Sequence, residues 1–263
     1  MYSHLGNLRV VEGASFIAAP SCGLYLSQLG AEVIRFDQIG GGPDFGRWPK
    51  DARGHSLYWE GLNKGKKSIA LDLRKPEGRE LAMRLATAPG RGGGIFLTNY
   101  PAEGFLSHDN LVRHRADQIT VRVMGWADGS SALDYTINAA VGLPEMTGHP
   151  DDTRPVNHVL PAWDLLTGSL AALSLLAAER RRAETGQGEE VRVPLSDVAI
   201  STLGNLGQIA EVVTSGADRP RVGNDLFGAF GRDFTTADGR RIMLVAITAR
   251  QWTGLVEALG IAG

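Results

Sequence analysis

Short runs of β-branched residues alternate with helically spaced apolar residues through the first half of the chain. Such runs predict strands at Leu8–Glu12, Glu32–Asp37, Ser68–Leu73, Ile95–Thr98 and Gln118–Met124. Apolar positions at helical spacing predict helices from Pro20 to Leu29 and from Pro76 to Ala86. Strands separated by helices indicate an α/β fold with a mostly parallel sheet covered on both faces. Ligands of such sheets bind beyond the carboxyl ends of the strands.

The pattern changes in the second half, where longer apolar segments are followed by glycine-rich stretches. Leu165–Ala178 is apolar on nearly every side, which predicts a helix buried all round. The later elements are predicted as a strand at Glu190–Pro194, a helix from Ser196 through about Val213, a loop at Arg219–Gly231 and a hairpin at Phe234–Val245 that turns at Asp238–Gly239. An apolar helical pattern ends just before Gly263, so we expect the chain to be truncated.

Composition and charge exclude several classes of protein. The 263 residues allow one large domain or two ordinary ones. A net charge of −2 argues against general nucleic-acid binding, which needs a basic surface. A single cysteine, Cys22, rules out a disulfide framework and fits a reducing cytoplasm. No apolar run approaches the roughly 20 residues of a membrane span, and the scattered histidines give no metal-ligand spacing.

Asp164 is the carboxylate that most invites a chemical interpretation. It stands just before the apolar helix, where an aspartate ordinarily caps the helix by accepting backbone hydrogen bonds. The same position also holds a carboxylate rigid beside Trp163 and Pro161, and such a carboxylate is a competent nucleophile toward activated acyl groups. From the residues alone, the capping interpretation is favoured.

A second candidate is the cluster of Lys64, Lys66 and Lys67, which precedes the predicted third strand. Lysines supply point charges and the intervening Gly65 allows close approach, so the loop suits a polyphosphate. A solvated turn is the alternative interpretation.

Several segments together resemble the family III CoA-transferases. The resemblance is carried, in family order, by Leu5–Glu12, Leu29–Asp37, Asn63–Asp72, Asn99–Pro101, Gly142–Gly148, Asp164 with Gly168, and Thr185–Gly188. It implies a Rossmann-like large domain with a mostly parallel sheet and a smaller α+β domain. We expect residues 1–200 to form the CoA-binding large domain and residues 201–263 a linker and the start of the small domain. The resemblance also implies that a C-terminal remainder is absent and that the full-length chain forms an interlocked homodimer.

The resemblance also assigns site residues. Asp164 matches the catalytic aspartate, which carries CoA as an aspartyl thioester, and Asp134 matches an acidic position of the active site. Lys66 and Asn99 match CoA-contacting positions. Two further positions border the CoA site: Arg47, in a neighbouring loop, and Gln38, where the family has an arginine. Coenzyme A is expected only as part of the substrate, with no permanently bound cofactor and no metal.

Departures from the family pattern narrow the expected activity. Racemases of the family place a histidine directly before the acidic position, where this chain has Leu133, so two-base proton exchange is disfavoured. Ile17 stands where formyl-CoA transferase has a glutamine. The family's mobile glycine run has no direct counterpart, and Gly223–Gly231 lies where it would fall; backbone N–H groups there or near Asp164 are candidates for stabilising oxyanions.

Asp134–Gly148, Pro155–Gly168 and Gly204–Ala210 resemble one branch of the family more closely. This branch moves CoA between the C1 and C4 carboxyls of mesaconyl-CoA. Glu145 and His158 are candidates for holding the spare carboxylate, although a surface glutamate and a loop histidine explain them equally well. Transfer to a separate acid is the alternative activity, and an inactive CoA-binding fragment is a third interpretation. No membrane or nucleic-acid partner is expected.

Overall fold

Six parallel strands form the central sheet of the protein, which a computed structural model describes over residues 2–101 and 103–261. The strands are β1 Arg9–Gly13, β2 Glu32–Asp37, β3 Lys67–Ala70, β4 Ile95–Thr98, β5 Ile119–Met124 and β6 Glu190–Pro194. They lie in the order β3-β2-β1-β4-β5-β6, and each neighbouring pair is parallel. The predicted α/β class with a mostly parallel sheet is confirmed.

The remaining elements are helices and one antiparallel hairpin. The helices are α1 Ala18–Gln28, α2 Leu57–Asn63, α3 Pro76–Ala86, α4 His108–His114, α5 Asp134–Ala140, α6 Leu143–Met146, α7 Ala162–Thr185, α8 Leu195–Asn205, α9 Gln208–Ser215 and α10 Ala249–Leu259. The hairpin pairs β7 Phe230–Thr235 with β8 Arg241–Ala246, around the turn that the sequence predicts. Within the described residues, no helix is both long and apolar enough to span a bilayer.

Alternation along the strands separates two faces of the sheet. Val11, Phe36 and Phe96 belong to a buried apolar cluster that includes residues of α3 and α4. Glu12, one position along from Val11, points to the other face, because successive side chains of a strand alternate. Helix α1 covers that face, where a Cβ on Gly23 would lie 1.9 Å from Glu12 Oε2.

Helices α1 and α7 cross at very short distance. A Cβ on Gly168 of α7 would lie 2.6 Å from the Ala18 carbonyl oxygen and 2.0 Å from Ser21 Oγ. Only glycine fits between these atoms, because a Cβ atom cannot come within 3.0 Å of another heavy atom without a clash. The first turns of α7, which include Asp164, are therefore held directly against α1.

Burial of α7 differs from the prediction. The helix begins at Ala162 and ends at Thr185, but it is buried along one face only. Leu166, Leu170 and Leu173 are 39%, 37% and 63% exposed. The expectation of burial on all sides is wrong for this chain, because α1 and the sheet cover a single face of α7.

The helix predicted from Ser196 to about Val213 is also wrong in its continuity. Gly207 adopts φ +76° and separates α8 from α9. Glycine accepts this left-handed conformation without a Cβ clash, so it interrupts an otherwise helical apolar pattern. The third strand also ends at Ala70, earlier than predicted, and the short helices α2, α4, α5 and α6 were not predicted.

The chain divides into two compact units. The first comprises Met1–Ile137 and Pro161–Thr202, and the second comprises Asn138–Leu160 and Leu203–Gly263. The first unit contains the parallel sheet and every residue assigned above to catalysis or CoA binding. The second contains the hairpin, Glu145, His158 and the Gly223–Gly231 loop.

Candidate active site

The amino end of α7 lies at the carboxyl edge of the sheet. Helix α7 leads into the amino end of the parallel strand β6, so its own first turn must start at the opposite edge. Asn99 directly follows β4 and Gln38 directly follows β2, which places both at this edge as well. The topology therefore brings Asp164, Asn99 and Gln38 to the edge where α/β proteins bind ligands.

Asp134 caps α7. Its Oδ2 accepts the backbone N–H of Trp163 at 2.7 Å and that of Asp164 at 3.1 Å. The N-cap residue of the helix, Pro161, forms no side-chain cap. The interpretation of Asp164 as the N-cap is therefore wrong: Asp164 is the third helical residue, and a carboxylate 30 positions earlier fulfils the capping role.

The Asp164 carboxylate consequently carries no capping bond, and it forms no hydrogen bond within the part of the chain that the structure describes. Burial and, to a smaller extent, the charge of Asp134 raise the pKa of Asp164 to about 7, while the charge of Arg47 opposes the rise. Desolvation penalises a charged carboxylate that few groups stabilise. Perturbed carboxylates of this kind cluster at functional sites.

Arg47 lies over two aromatic rings. The carbon of its guanidinium is 4.8 Å from the centre of the Tyr58 ring and 5.2 Å from that of Phe16. Its Nη1 lies 3.6 Å from Oδ1 of the buried Asp44. Burial raises the pKa of the Tyr58 hydroxyl. The charge of Arg47 opposes this rise and that of Asp164 adds to it, so the three residues lie in one region.

Phe16 has an unusual backbone. Its φ of +66° lies in the left-handed region, which a large side chain seldom adopts. The backbone N–H of Phe16 donates to Asp44 Oδ2, which holds this conformation. Asp44, Phe16 and Tyr58 could not be predicted from the sequence, since no motif or spacing distinguishes them from ordinary surface residues.

Asn99 forms hydrogen bonds with the loop that contains Phe16. Its Oδ1 accepts the Ser15 N–H at 3.0 Å and its Nδ2 donates to the Ser15 carbonyl at 2.9 Å. Gln38, by contrast, is exposed. The structure thus uses the Asn99 amide to position the β1–α1 loop, and the predicted contacts of Asn99 and Gln38 with CoA stay predictions.

Lys66 lies in a buried ion-pair network rather than in a solvated turn. Its ammonium contacts both carboxylate oxygens of Glu12 at 3.0 and 2.8 Å, the Pro20 carbonyl at 2.8 Å and Asn63 Oδ1 at 3.0 Å. Burial lowers the pKa of Lys66, and Glu12 opposes that change. Three N–H donors are thereby engaged inside the protein, and a contact of Lys66 with CoA stays a prediction.

Arg35 completes this network. It donates to Glu12 Oε1 at 2.9 Å and forms two parallel bonds of 2.7 Å with the Asp37 carboxylate. Two cations and two carboxylates balance their charges beneath the carboxyl edge of the sheet. Lys67 behaves differently, since it forms an exposed ion pair with Glu32.

Two residues proposed for the spare carboxylate belong to the second unit. Glu145 is paired there with Arg221, whose Nη2 donates at 3.2 Å, and its side chain is 67% exposed. The backbone N–H of His158 donates to Asn157 Oδ1 at 3.1 Å. Neither observation tests their predicted role. Among the described residues, no group of three or more histidine, cysteine or acidic side chains is arranged to hold a metal ion.

Comparison with known proteins gives consistent matches. The model of CoA-transferase family III matches residues 5–263. The chain is 57% identical over 258 residues to a 2-methylfumaryl-CoA isomerase of Chloroflexus aurantiacus. The aligned region covers 98% of this chain and 63% of that protein. It is 31% identical to a succinyl-CoA–D-citramalate CoA-transferase of the same organism, over 97% of this chain and 65% of that one.

Solved structures of the same family have the same fold. A CaiB/BaiF family protein from Brucella suis superposes with a TM-score of 0.81 at 27% identity, over 97% of this chain and 69% of that one. The chain spans less than two thirds of the length of both curated relatives named above.

Proposed function

The chain belongs to CoA-transferase family III, and we propose that it moves CoA between the C1 and C4 carboxyls of mesaconyl-CoA through an aspartyl-CoA thioester on Asp164. The observation that carries this proposal is that the two carboxylates at the amino end of α7 have different roles. Asp134 caps the helix, which leaves the Asp164 carboxylate without a hydrogen bond among the described residues. The likeness to a 2-methylfumaryl-CoA isomerase supports the choice of substrate.

The first step needs the ionised form of Asp164. With a pKa of about 7, a substantial fraction of this carboxyl is ionised at neutral pH. The carboxylate attacks the C1 thioester carbonyl, the carbon–sulfur bond breaks, and a mixed anhydride and CoA thiolate result. The thiolate then attacks the aspartyl carbonyl, which yields aspartyl-CoA and free mesaconate.

The return steps mirror these. The C4 carboxylate of mesaconate attacks the aspartyl thioester, a second anhydride forms, and the thiolate attacks its C4 carbonyl to regenerate Asp164. The acyl bond energy is conserved only if water stays out throughout. The N–H groups of Trp163 and Asp164 already bind Asp134, so the tetrahedral oxyanions take their donors from other groups.

Coenzyme A binding remains part of the same proposal. We propose that the CoA moiety lies along the carboxyl edge of the sheet, where Asn99 follows β4 and Gln38 follows β2. We also propose that it contacts Lys66, whose ammonium binds Glu12 near the carboxyl end of β1. No permanently bound cofactor enters this scheme. We also propose that the full-length protein is a homodimer.

One incubation tests the proposal against its closest rival, transfer to a separate acid. The protein is mixed with C1-mesaconyl-CoA and isotopically labelled free mesaconate. Appearance of the C4 ester without label supports intramolecular transfer, whereas label in the CoA ester supports the rival. The observation that favours the rival is the 31% identity to a succinyl-CoA–D-citramalate CoA-transferase.

The nucleophile is tested separately. Borohydride reduction of an aspartyl thioester converts the side chain to an alcohol, which mass spectrometry locates on Asp164. Asp164→Asn should form no adduct and should lose isomerisation, and residual turnover would refute the assignment. A solution mass tests the proposed homodimer, and a monomer would contradict it.

A further inference from the structure

Arg47 presents a guanidinium whose hydrogen-bonding capacity is unused among the described residues. Its side chain is 43% exposed, and the nearest acceptor, Asp44 Oδ1, lies 3.6 Å away. That separation supports charge attraction but is too long for a hydrogen bond. Asp44 Oδ1 is itself buried and has no hydrogen-bond partner among the residues that the structure describes. The N–H fork of Arg47 is thus free to bind an external acceptor.

The surroundings hold this fork in one place. The rings of Phe16 and Tyr58 lie 5.2 and 4.8 Å from the guanidinium carbon, and Asp44 attracts the charge. The same Asp44 fixes Phe16 by accepting its N–H in a strained backbone conformation. One buried carboxylate therefore positions both a ring and the cation, which is more organisation than a solvated surface arginine needs.

The fork lies near the first turns of α7. The Phe16 ring under the guanidinium lies two residues before Ala18, whose carbonyl oxygen would be 2.6 Å from a Cβ on Gly168, one turn after Asp164. The charge of Arg47 opposes the rise in pKa of both Asp164 and Tyr58, and the buried Tyr58 hydroxyl has no hydrogen-bond partner in the described chain. We propose that Arg47 binds the distal carboxylate of a dicarboxylic acyl group whose thioester carbon reacts at Asp164. This inference rests on the proposed function and names the residue that selects a dianionic acid.

A carboxylate fits Arg47 better than the phosphates of CoA do. The pantetheine arm separates the thioester from the pyrophosphate by many bonds, whereas only a few bonds separate the two carboxyls of a C5 diacid. A cation beside the nucleophile is therefore within reach of the acyl group. The planar guanidinium also matches a carboxylate with two parallel hydrogen bonds.

The same contact serves both halves of the reaction. While C1 reacts at Asp164, the C4 carboxylate occupies the Arg47 fork, and the two ends of the acid exchange places before the return transfer. Arg47 is thus a specificity-determining residue. It takes over the role that the sequence suggested for Glu145 and His158, of which Glu145 is an anion and already paired with Arg221.

The test uses two inert thioethers, so that binding is measured without chemistry. S-(3-carboxypropyl)-CoA ends in a carboxylate, and S-butyl-CoA ends in a methyl group but is otherwise matched. Calorimetry should show that the unmodified protein prefers the carboxylate ligand by about 10- to 100-fold. Arg47→Gln should abolish that preference without weakening S-butyl-CoA, and Arg47→Lys should restore part of it. Arg53→Gln, an exposed arginine of the same loop, should retain the full preference.

Three results would overturn the inference. In the first, the unmodified protein binds both thioethers equally or binds neither. In the second, the Arg47→Gln protein loses affinity for both thioethers by the same factor. In the third, the Arg47→Gln protein keeps the preference for the carboxylate ligand. Circular dichroism of each variant verifies folding. Isomerisation of C1-mesaconyl-CoA is measured on the same preparations; its absence would refute the proposed function while the binding preference still decides the role of Arg47.

Discussion

The carboxylate of Asp134 holds the backbone of Asp164, whose N–H it accepts at 3.1 Å. Helix amino termini carry partial positive charge, so Asp134 is stabilised there as an anion. Two carboxylates share this helix end, one bound to the backbone and one without a hydrogen bond in the described chain. Their repulsion adds to the effect of burial in keeping the pKa of Asp164 near 7.

Asp134→Asn tests this repulsion. An amide oxygen still accepts a backbone N–H, but the charge is gone, so the pKa of Asp164 should fall. The rate of adduct formation on Asp164, followed from about pH 5 to pH 9, should then rise at lower pH than in the unmodified protein. The exposed Asp151→Asn serves as the control and should not move the profile. A profile that Asp134→Asn leaves in place would contradict the coupling.

Asp164→Asn should make stability less dependent on pH. Because folding raises the pKa of this carboxyl from 3.8 to about 7, the unfolded chain loses the proton first as pH rises. Stability is therefore fully present below about pH 4 and falls as pH increases to about 7. At about pH 8 the variant should be more stable than the unmodified protein by about 1 to 4 kcal/mol, with partial solvent contact favouring the lower figure.

Urea unfolding at about pH 4 and about pH 8 measures this difference. The gain should be confined to the higher pH, because the unmodified carboxyl is neutral in the folded protein at the lower one. An equal change at both pH values would show that packing, rather than ionisation, explains the effect.

Strand positions could be predicted from the sequence because a parallel sheet needs short apolar runs at regular intervals. β1, β2, β4, β5 and β6 all lie within one residue of the predicted segments. Asp164 could be singled out because it precedes the long apolar run Leu165–Ala178. Its freedom from capping could not, since that depends on Asp134, which the fold brings to the helix from 30 residues away.

Other parts of the site also depend on long-range contacts. The Phe16 backbone is left-handed because Asp44 binds it, and no local signal in the sequence indicates this conformation. The sequence indicated that the lysine cluster forms either a phosphate-binding loop or a solvated turn. Lys66 is instead buried, because α1 and β1 present Pro20 and Glu12 to it. Side-chain partners of this kind are set by tertiary packing rather than by local pattern.

Gly168→Ala should destabilise the protein by about 1 to 3 kcal/mol, as overpacking in a filled interior does. Its Cβ would meet the Ala18 carbonyl at 2.6 Å, and a backbone atom cannot rotate away as a side chain does. Displacement of α7 from α1 should also slow adduct formation on Asp164. Gly61→Ala is the matched control, since a Cβ there meets no atom within 4 Å, and it should stabilise α2 slightly. Equal urea midpoints for the two variants would contradict the close crossing.

Lys66→Met should cost about 3 to 5 kcal/mol of stability, because it leaves a buried carboxylate without one of its two cations. The ammonium and the Glu12 carboxylate are 1% and 0% exposed, so water cannot replace the lost partner. Lys67→Met removes a surface pair with Glu32 and should cost at most about 1 kcal/mol. Urea unfolding of both variants measures the contrast. Calorimetry with CoA on the folded Lys66→Met protein then separates the two roles of this lysine: weaker CoA binding, beyond what Lys67→Met causes, would support the predicted contact, and unchanged binding would make Lys66 a purely structural residue.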